Sequence, residues 1–147
     1  LYLYFNSKEA LSNALSEDFF NRCAQMIDQY VPHIAETNGL VQYIDSVIQI
    51  ARDEMPVLSF ARIETFEKAG KGKEVRKELS LRTANHLQQL MNDKAIRQYD
   101  AIALAEMIGG MLHKMIMSCI VEETFDLSSH KTTAIQMLEY ALFDSKN

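Results

Sequence analysis

Apolar residues recur along this chain every three or four positions and never alternate with period two, so the pattern predicts helices and no strand. The first runs from about Ser7 to Val31, with Leu11, Ala14, Leu15, Phe19, Cys23, Ile27, Tyr30 and Val31 sharing a face, and Pro32 ending it. Asn6 or Ser7 can cap it, and Glu9 supplies the reciprocal partner of a capping box. Asn38-Gly39 opens a second segment whose face is Leu40, Ile44, Val47, Ile48, Ala51 and Met55. Pro56 fits a break and the first turn of a third segment, carrying Phe60, Ile63 and Phe66 and closed by the Gly70-Lys71-Gly72 turn. The fourth covers about Lys73 to Asn92. The fifth runs from Ala101 to about Glu123 with Asp100 as its cap. The sixth spans about Ser129 to Phe143, with Ser128, Ser129 and His130 at its cap. The expected fold class is all-α, a bundle of about six helices.

The last two segments carry more apolar surface than one contact needs. The fifth is apolar nearly all round, which predicts burial on most of its faces. It also holds Gly109-Gly110 in its middle, where each glycine costs about 1 kcal/mol against alanine. Close helix approach, inside the chain or across a dimer, would offset that cost. The sixth has Ile135, Met137, Leu138, Ala141, Leu142 and Phe143 in a wide stripe. Together they suggest a homodimer completed by a second copy, with Gly109, Gly110, Ile135, Leu138 and Leu142 at the interface and the final two helices of each copy in a four-helix bundle; a monomer with both helices internal is the other reading. Ala101 to Val121 is long enough to span a membrane, but it contains Glu106, His113 and Lys114. A charge near the centre of a span costs about 2.5–3.5 kcal/mol, so no membrane partner is expected.

Composition narrows the function. The chain has 147 residues, 48% hydrophobic and 24% charged, with five Gly and two Pro, which suits one helical domain rather than a turn-rich β-fold. The net charge of −5 gives a general field that repels nucleic acid. Cys23 and Cys119 lie far apart with no zinc spacing, and read as small buried hydrophobes in a reducing, cytoplasmic setting. His33, His86, His113 and His130 show no metal spacing, and no Glu precedes a His by three as a di-iron bundle requires. Gly70-Lys71-Gly72 lacks the pattern of a phosphate loop. No enzymatic activity, catalytic residue, metal or cofactor is expected.

The first eleven residues carry the most specific pattern. Tyr2, Phe5, Ser7, Lys8 and Leu11 follow the order Tyr, two residues, Phe, a polar turn, then Ser-Lys-x-x-Leu. This stretch resembles the end of the helix-turn-helix in the TetR family of transcriptional regulators. The likeness covers only these residues; the rest of the chain has the length and helical order of that family's regulatory domain, without a further motif. The resemblance implies that residues 1–6 are the tail of a DNA-binding domain whose remainder, expected to be basic, lies upstream of Leu1. It also implies that 7–147 form an effector-binding and dimerisation domain, and that Tyr2, Tyr4 and Lys8 touch the DNA backbone. Such contacts fix position without reading sequence.

The resemblance further implies an effector pocket among the first five segments. Leu79, Thr83, His86 and Leu90 share one face, and Thr83 and His86 interrupt it as possible polar handles; a core position satisfied by neighbouring groups is the other reading. Tyr43, Phe60, Ile63 and Phe66 could form aromatic and aliphatic wall, and Met107, Met111 and Met115, four apart, an adaptable one or plain core. The expected function is a ligand-responsive regulator, a repressor released from operator DNA by a small, largely apolar effector. The alternative is a helical protein–protein interaction module without DNA binding.

Overall fold

The computed structural model describes residues 8–60, 71–122 and 126–143. Among these residues there are five α-helices and no strand: α1 (Lys8–Tyr30), α2 (Gly39–Phe60), α3 (Lys71–Asn92), α4 (Ala101–Val121) and α5 (Leu127–Leu142), with a 3-10 turn at Val31–His33 after α1. The α1 helix packs on α2 and α3, α3 on α4, and α2 on both α4 and α5, while α4 and α5 also touch. One core joins all five. Its most enclosed side chains are Val31, Ile44, Leu87, Met91 and Leu142. Each comes from the apolar stripe of its own element, so the helical period sets both the helices and what they bury.

The connections arise from local chemistry. Pro32 fits the first turn of the 3-10 segment, where its missing N–H costs nothing. Asn38 takes a left-handed backbone, φ 61°, and its carbonyl accepts from the Gln42 N–H at 2.9 Å, starting α2. At Gly39 an added Cβ would lie 1.9 Å from the His33 carbonyl oxygen, so only glycine allows the turn to fold against the helix. At the end of α3, Lys94 is left-handed (φ 58°). There the Lys94 N–H donates to Met91 O at 3.0 Å and the Ala95 N–H to Leu90 O at 2.9 Å, a Schellman ending. The loop between α3 and α4 then clasps α5: Arg97 N–H donates to Leu142 O at 2.8 Å, and the Tyr99 hydroxyl donates to Ala141 O.

Three boundaries depart from expectation. The α2 helix runs through Pro56 to Phe60 instead of breaking there. A helix whose preceding turns bury Leu40, Tyr43, Ile44, Val47, Ile48 and Ala51 tolerates the loss of one backbone bond. The rest of the expected third segment, with Ile63 and Phe66, lies outside the described residues. Gly72 sits in the first turn of α3 rather than in a turn that precedes it. The α5 cap is Asp126, whose carboxylate accepts from the Ser129 N–H at 3.0 Å, so Ser128, Ser129 and His130 belong to the first turn. The expected cap of α4 is present: Asp100 accepts from the Ala103 N–H at 2.8 Å.

Candidate functional site

The helix that concentrates the unexplained features is α4. Its inward stripe, Ala105, Ile108, Leu112, Met115 and Ser118, is buried. The expectation of burial on most faces does not hold: only 33% of the apolar window Ala101–Cys119 is inside the structure. Ile102 is 50% exposed and Met107 74% exposed. Gly109 and Gly110 lie on the outer side, and an added Cβ at either would meet nothing within 4 Å. Close approach inside the chain therefore does not explain this pair. Glu106, His113 and Lys114 share the exposed side. By length and composition the helix could cross a membrane. Three ionisable groups on the face that would meet lipid oppose that use.

Behind α4 lies an apolar cavity of about 240 Å³. Val47, Ile48 and Ala51 of α2 form one wall, and Leu112, Met115, Ile116 and Cys119 of α4 the other, with Leu127 at the start of α5. Arg52 and Glu122, both exposed, supply the charged groups at its edge. Its size falls just below the ~300–1,000 Å³ usual for small-molecule sites. A shallower groove of about 600 Å³ runs between the α1–α2 turn and the end of α5, lined by Thr37, Asn38, Arg97, Glu139 and Tyr140 among others. It is wider and more open to solvent than the cavity behind α4, so it encloses a small apolar ligand less well.

The expected pocket residues divide. Met115 lines the cavity. Tyr43 and Leu90 are core residues, and Met111 packs partly against the same core. Burial pushes the Tyr43 hydroxyl well above its ordinary pKa, so it stays neutral. Thr83 is buried, and its hydroxyl donates to Leu79 O at 2.9 Å. His86 Nε2 and Asp28 Oδ1 are hydrogen-bonded at 2.8 Å, and Arg82 donates to the other Asp28 oxygen at 2.6 Å. The hydrogen bond with His86, with help from Arg82, holds the Asp28 carboxyl below the usual carboxylate range against a smaller opposing effect of burial. Thr83 and His86 are thus satisfied within the protein, and they do not line the cavity. Among the described residues no buried side-chain nitrogen or oxygen lacks a partner. The side chain of Phe60, together with Ile63 and Phe66, lies outside the described residues.

The expected interface residues divide as well. Gly109 and Gly110 are exposed and Ile135 is half-buried. Leu138 and Leu142 are enclosed in the chain's own core, so a second copy cannot reach them without opening the fold. The exposed apolar groups of α5 are instead Met137 and Tyr140, 55% and 83% exposed. Tyr2 and Tyr4 lie outside the described residues, as does the side chain of Lys8. The described residues contain no group of three or more His, Cys, Asp or Glu placed to hold a metal ion. Cys23 is buried and Cys119 half-buried, and neither is in a disulfide.

What sequence reasoning missed is the α2 side of the cavity. Val47, Ile48 and Ala51 are recognisable as an apolar face, but which helix stands opposite is decided by tertiary packing. Compared with known proteins, the chain has no significant match to a family model, a curated protein or a solved structure.

Proposed function

We propose that this chain is the sensing and dimerising part of a ligand-responsive, DNA-binding transcriptional regulator, a repressor that leaves its operator when a small, largely apolar effector binds. The observation that carries the reading is the double role of α4. Its inner face walls the apolar cavity, and its outer face stands open with Ile102, Met107, Gly109 and Gly110. A ligand in the cavity would therefore press on the helix that a second copy would cover. The resemblance of the Tyr2–Leu11 stretch to a helix-turn-helix end supplies the DNA-binding half of the proposal.

The lever in this scheme is α1, 23 residues and about 35 Å long at 1.5 Å per residue. It is tied to α2 through Arg22–Asp53 at 3.2 Å and to α3 through Asp28 with Arg82 and His86. Two recognition helices must sit about 34 Å apart to meet successive turns of DNA, so a small tilt of α1 would spoil the spacing. Effector can shift that equilibrium only through unequal affinity for the two forms.

The test is selection of bound duplexes from a random pool by the full-length protein. Enrichment of a two-fold symmetric site is expected, and Lys8→Ala should weaken binding to it and flatten the salt slope by about one charge. No enriched sequence from a folded dimer would overturn the regulator. It would favour instead an interaction module without DNA, which the same exposed α4 face would serve.

A further inference from the structure

We propose that Asn38-Gly39 is a latent modification site: the folded α1–α2 turn blocks its conversion to isoaspartate, opening of the turn releases it, and the product holds the turn open. The inference does not depend on the proposed regulator. Asn38 is the only asparagine in the chain followed by glycine. Glycine is the follower that least shields its own backbone nitrogen, so this pair is the one most prone to ring closure. Two separate demands of the fold bring the pair together. The backbone of residue 38 is left-handed, which asparagine tolerates. Residue 39 has no room for a Cβ beside the His33 carbonyl.

The reaction needs only this chain and water. The Gly39 backbone nitrogen loses its proton to hydroxide and attacks Asn38 Cγ. The N–Cγ bond forms, the Cγ–Nδ2 bond breaks, and ammonia leaves. Water then opens the five-membered imide. Breaking the new N–Cγ bond gives aspartate. Breaking the original peptide C–N bond gives isoaspartate, whose main chain runs through Cβ and Cγ and is one methylene longer.

Ring closure requires the Asn38–Gly39 peptide to rotate until its nitrogen meets the Asn38 side chain. In the fold both polar groups of that peptide are held. Its N–H donates to Glu36 O at 2.8 Å, and its carbonyl accepts from the Gln42 N–H at 2.9 Å. The close approach of Gly39 to the His33 carbonyl adds a steric restraint. Ile34 and Leu40, both buried in the core, anchor the turn on either side. The Asn38 side chain is exposed at the groove beside α5, so solvent reaches it and the turn itself is the barrier. Isoaspartate removes that barrier. The carbonyl that starts α2 becomes a free carboxylate off the main chain, and the added methylene has no space where Gly39 meets His33.

The test follows deamidation of the full chain at neutral pH through the tryptic peptide Cys23–Arg52, in which Asn38 is the only asparagine. Mass spectrometry reads the loss of ammonia, and enzymatic methylation of isoaspartate distinguishes the two products. Opening is fast relative to this chemistry, so the ratio of folded to unfolded rates reads the open fraction. The folded chain should react at least about tenfold more slowly than the same chain in strong urea. Leu40→Ala, which loosens the anchor, should speed the folded reaction about tenfold, and urea below the unfolding midpoint should speed it without any substitution. Equal rates in the folded and unfolded chain would overturn the block. A folded rate that rises only in proportion to the globally unfolded fraction would overturn the turn as the gate. The purified isoaspartate form should melt below the parent, while Asn38→Asp, with the charge but not the methylene, should melt with it. An isoaspartate form as stable as the parent would overturn the last step.

Discussion

Gly110→Ala is the perturbation on which the two possible environments of the outer face of α4 disagree in sign. In the single chain the new methyl touches nothing within 4 Å. The only effect is then the helix propensity gained, about 1 kcal/mol. For a domain near 150 residues that is worth roughly 2–4 °C in Tm. Where a second copy covers this face, as the proposed dimer requires, the same methyl enters the contact, and it enters twice. Overpacking of this kind costs about 1–3 kcal/mol, which weakens association about 5- to 150-fold at 1.4 kcal/mol per tenfold. The assay pairs thermal unfolding at concentrations below the dimer Kd with sedimentation equilibrium above it. The expected outcome is a protomer that melts higher and a dimer that dissociates more easily. A variant with raised Tm and an unchanged Kd would place Gly110 in solvent and refute the argument.

The frame that holds this face can be tested too. Gly39→Ala puts a Cβ 1.9 Å from a backbone carbonyl that cannot swing away, so stability should fall by at least about 3 kcal/mol, read as a lower urea midpoint. A midpoint within error of the parent would remove the steric argument. Lys94→Gly relieves a left-handed non-glycine residue at the end of α3 and should raise stability by up to about 1 kcal/mol, measured the same way. Asp28→Asn should cost about 0.2–1 kcal/mol for each charged contact, a small figure because the side chain is 46% exposed. Asp28 has a lowered pKa in the fold, so its contribution is present above the ordinary carboxylate pKa of 3.8 and fades as the pH falls through the lower folded value. The stability gap between parent and variant should therefore persist from neutral pH down to about pH 4 and shrink below it. A gap that closes near neutrality would assign the effect to another group.

Most of the frame was legible because it is local. The period of apolar residues, Pro32, Asn38-Gly39 and Asp100 each act within a few residues of themselves, and the helices sit close to where they point. Pro56 misled because the first-turn preference of proline looks the same in sequence as a proline tolerated late in a well-anchored helix. The methionine stripe misled through geometry. Four residues advance a helix by 400°, so each step drifts about 40° around it. Met107 therefore faces out, Met111 is half-buried and Met115 is inside. Thr83 and His86 were placed on the right face, but the partner of His86 is Asp28, fifty-eight positions away, which no local pattern reveals. Leu138 and Leu142 illustrate the same limit from the other side. A wide stripe shows that much is buried, not which neighbour buries it.

The two faces of α4 join these observations into one thermodynamic statement. Leu112 and Met115 look into the cavity, while Gly110 and His113 look away from it, all within six residues of one rigid helix. A body that moves as one piece cannot relax inside without shifting outside, because packed interfaces switch between arrangements and do not deform smoothly. On the proposed reading, any ligand that favours one position of α4 must favour one state of the dimer by the same free energy, and dimerisation must alter ligand affinity in return. A cavity of 240 Å³ limits how large that effect can be. A complete switch from 1:99 to 99:1 needs about 5.5 kcal/mol of differential binding. The best very small ligands gain at most about 1.5 kcal/mol per heavy atom, and only the difference between the two states counts. So small a site can tune a balanced equilibrium more easily than it can reverse a one-sided one. The glycine pair, which keeps the protomer less stable than alanine would, fits a helix set near such a balance.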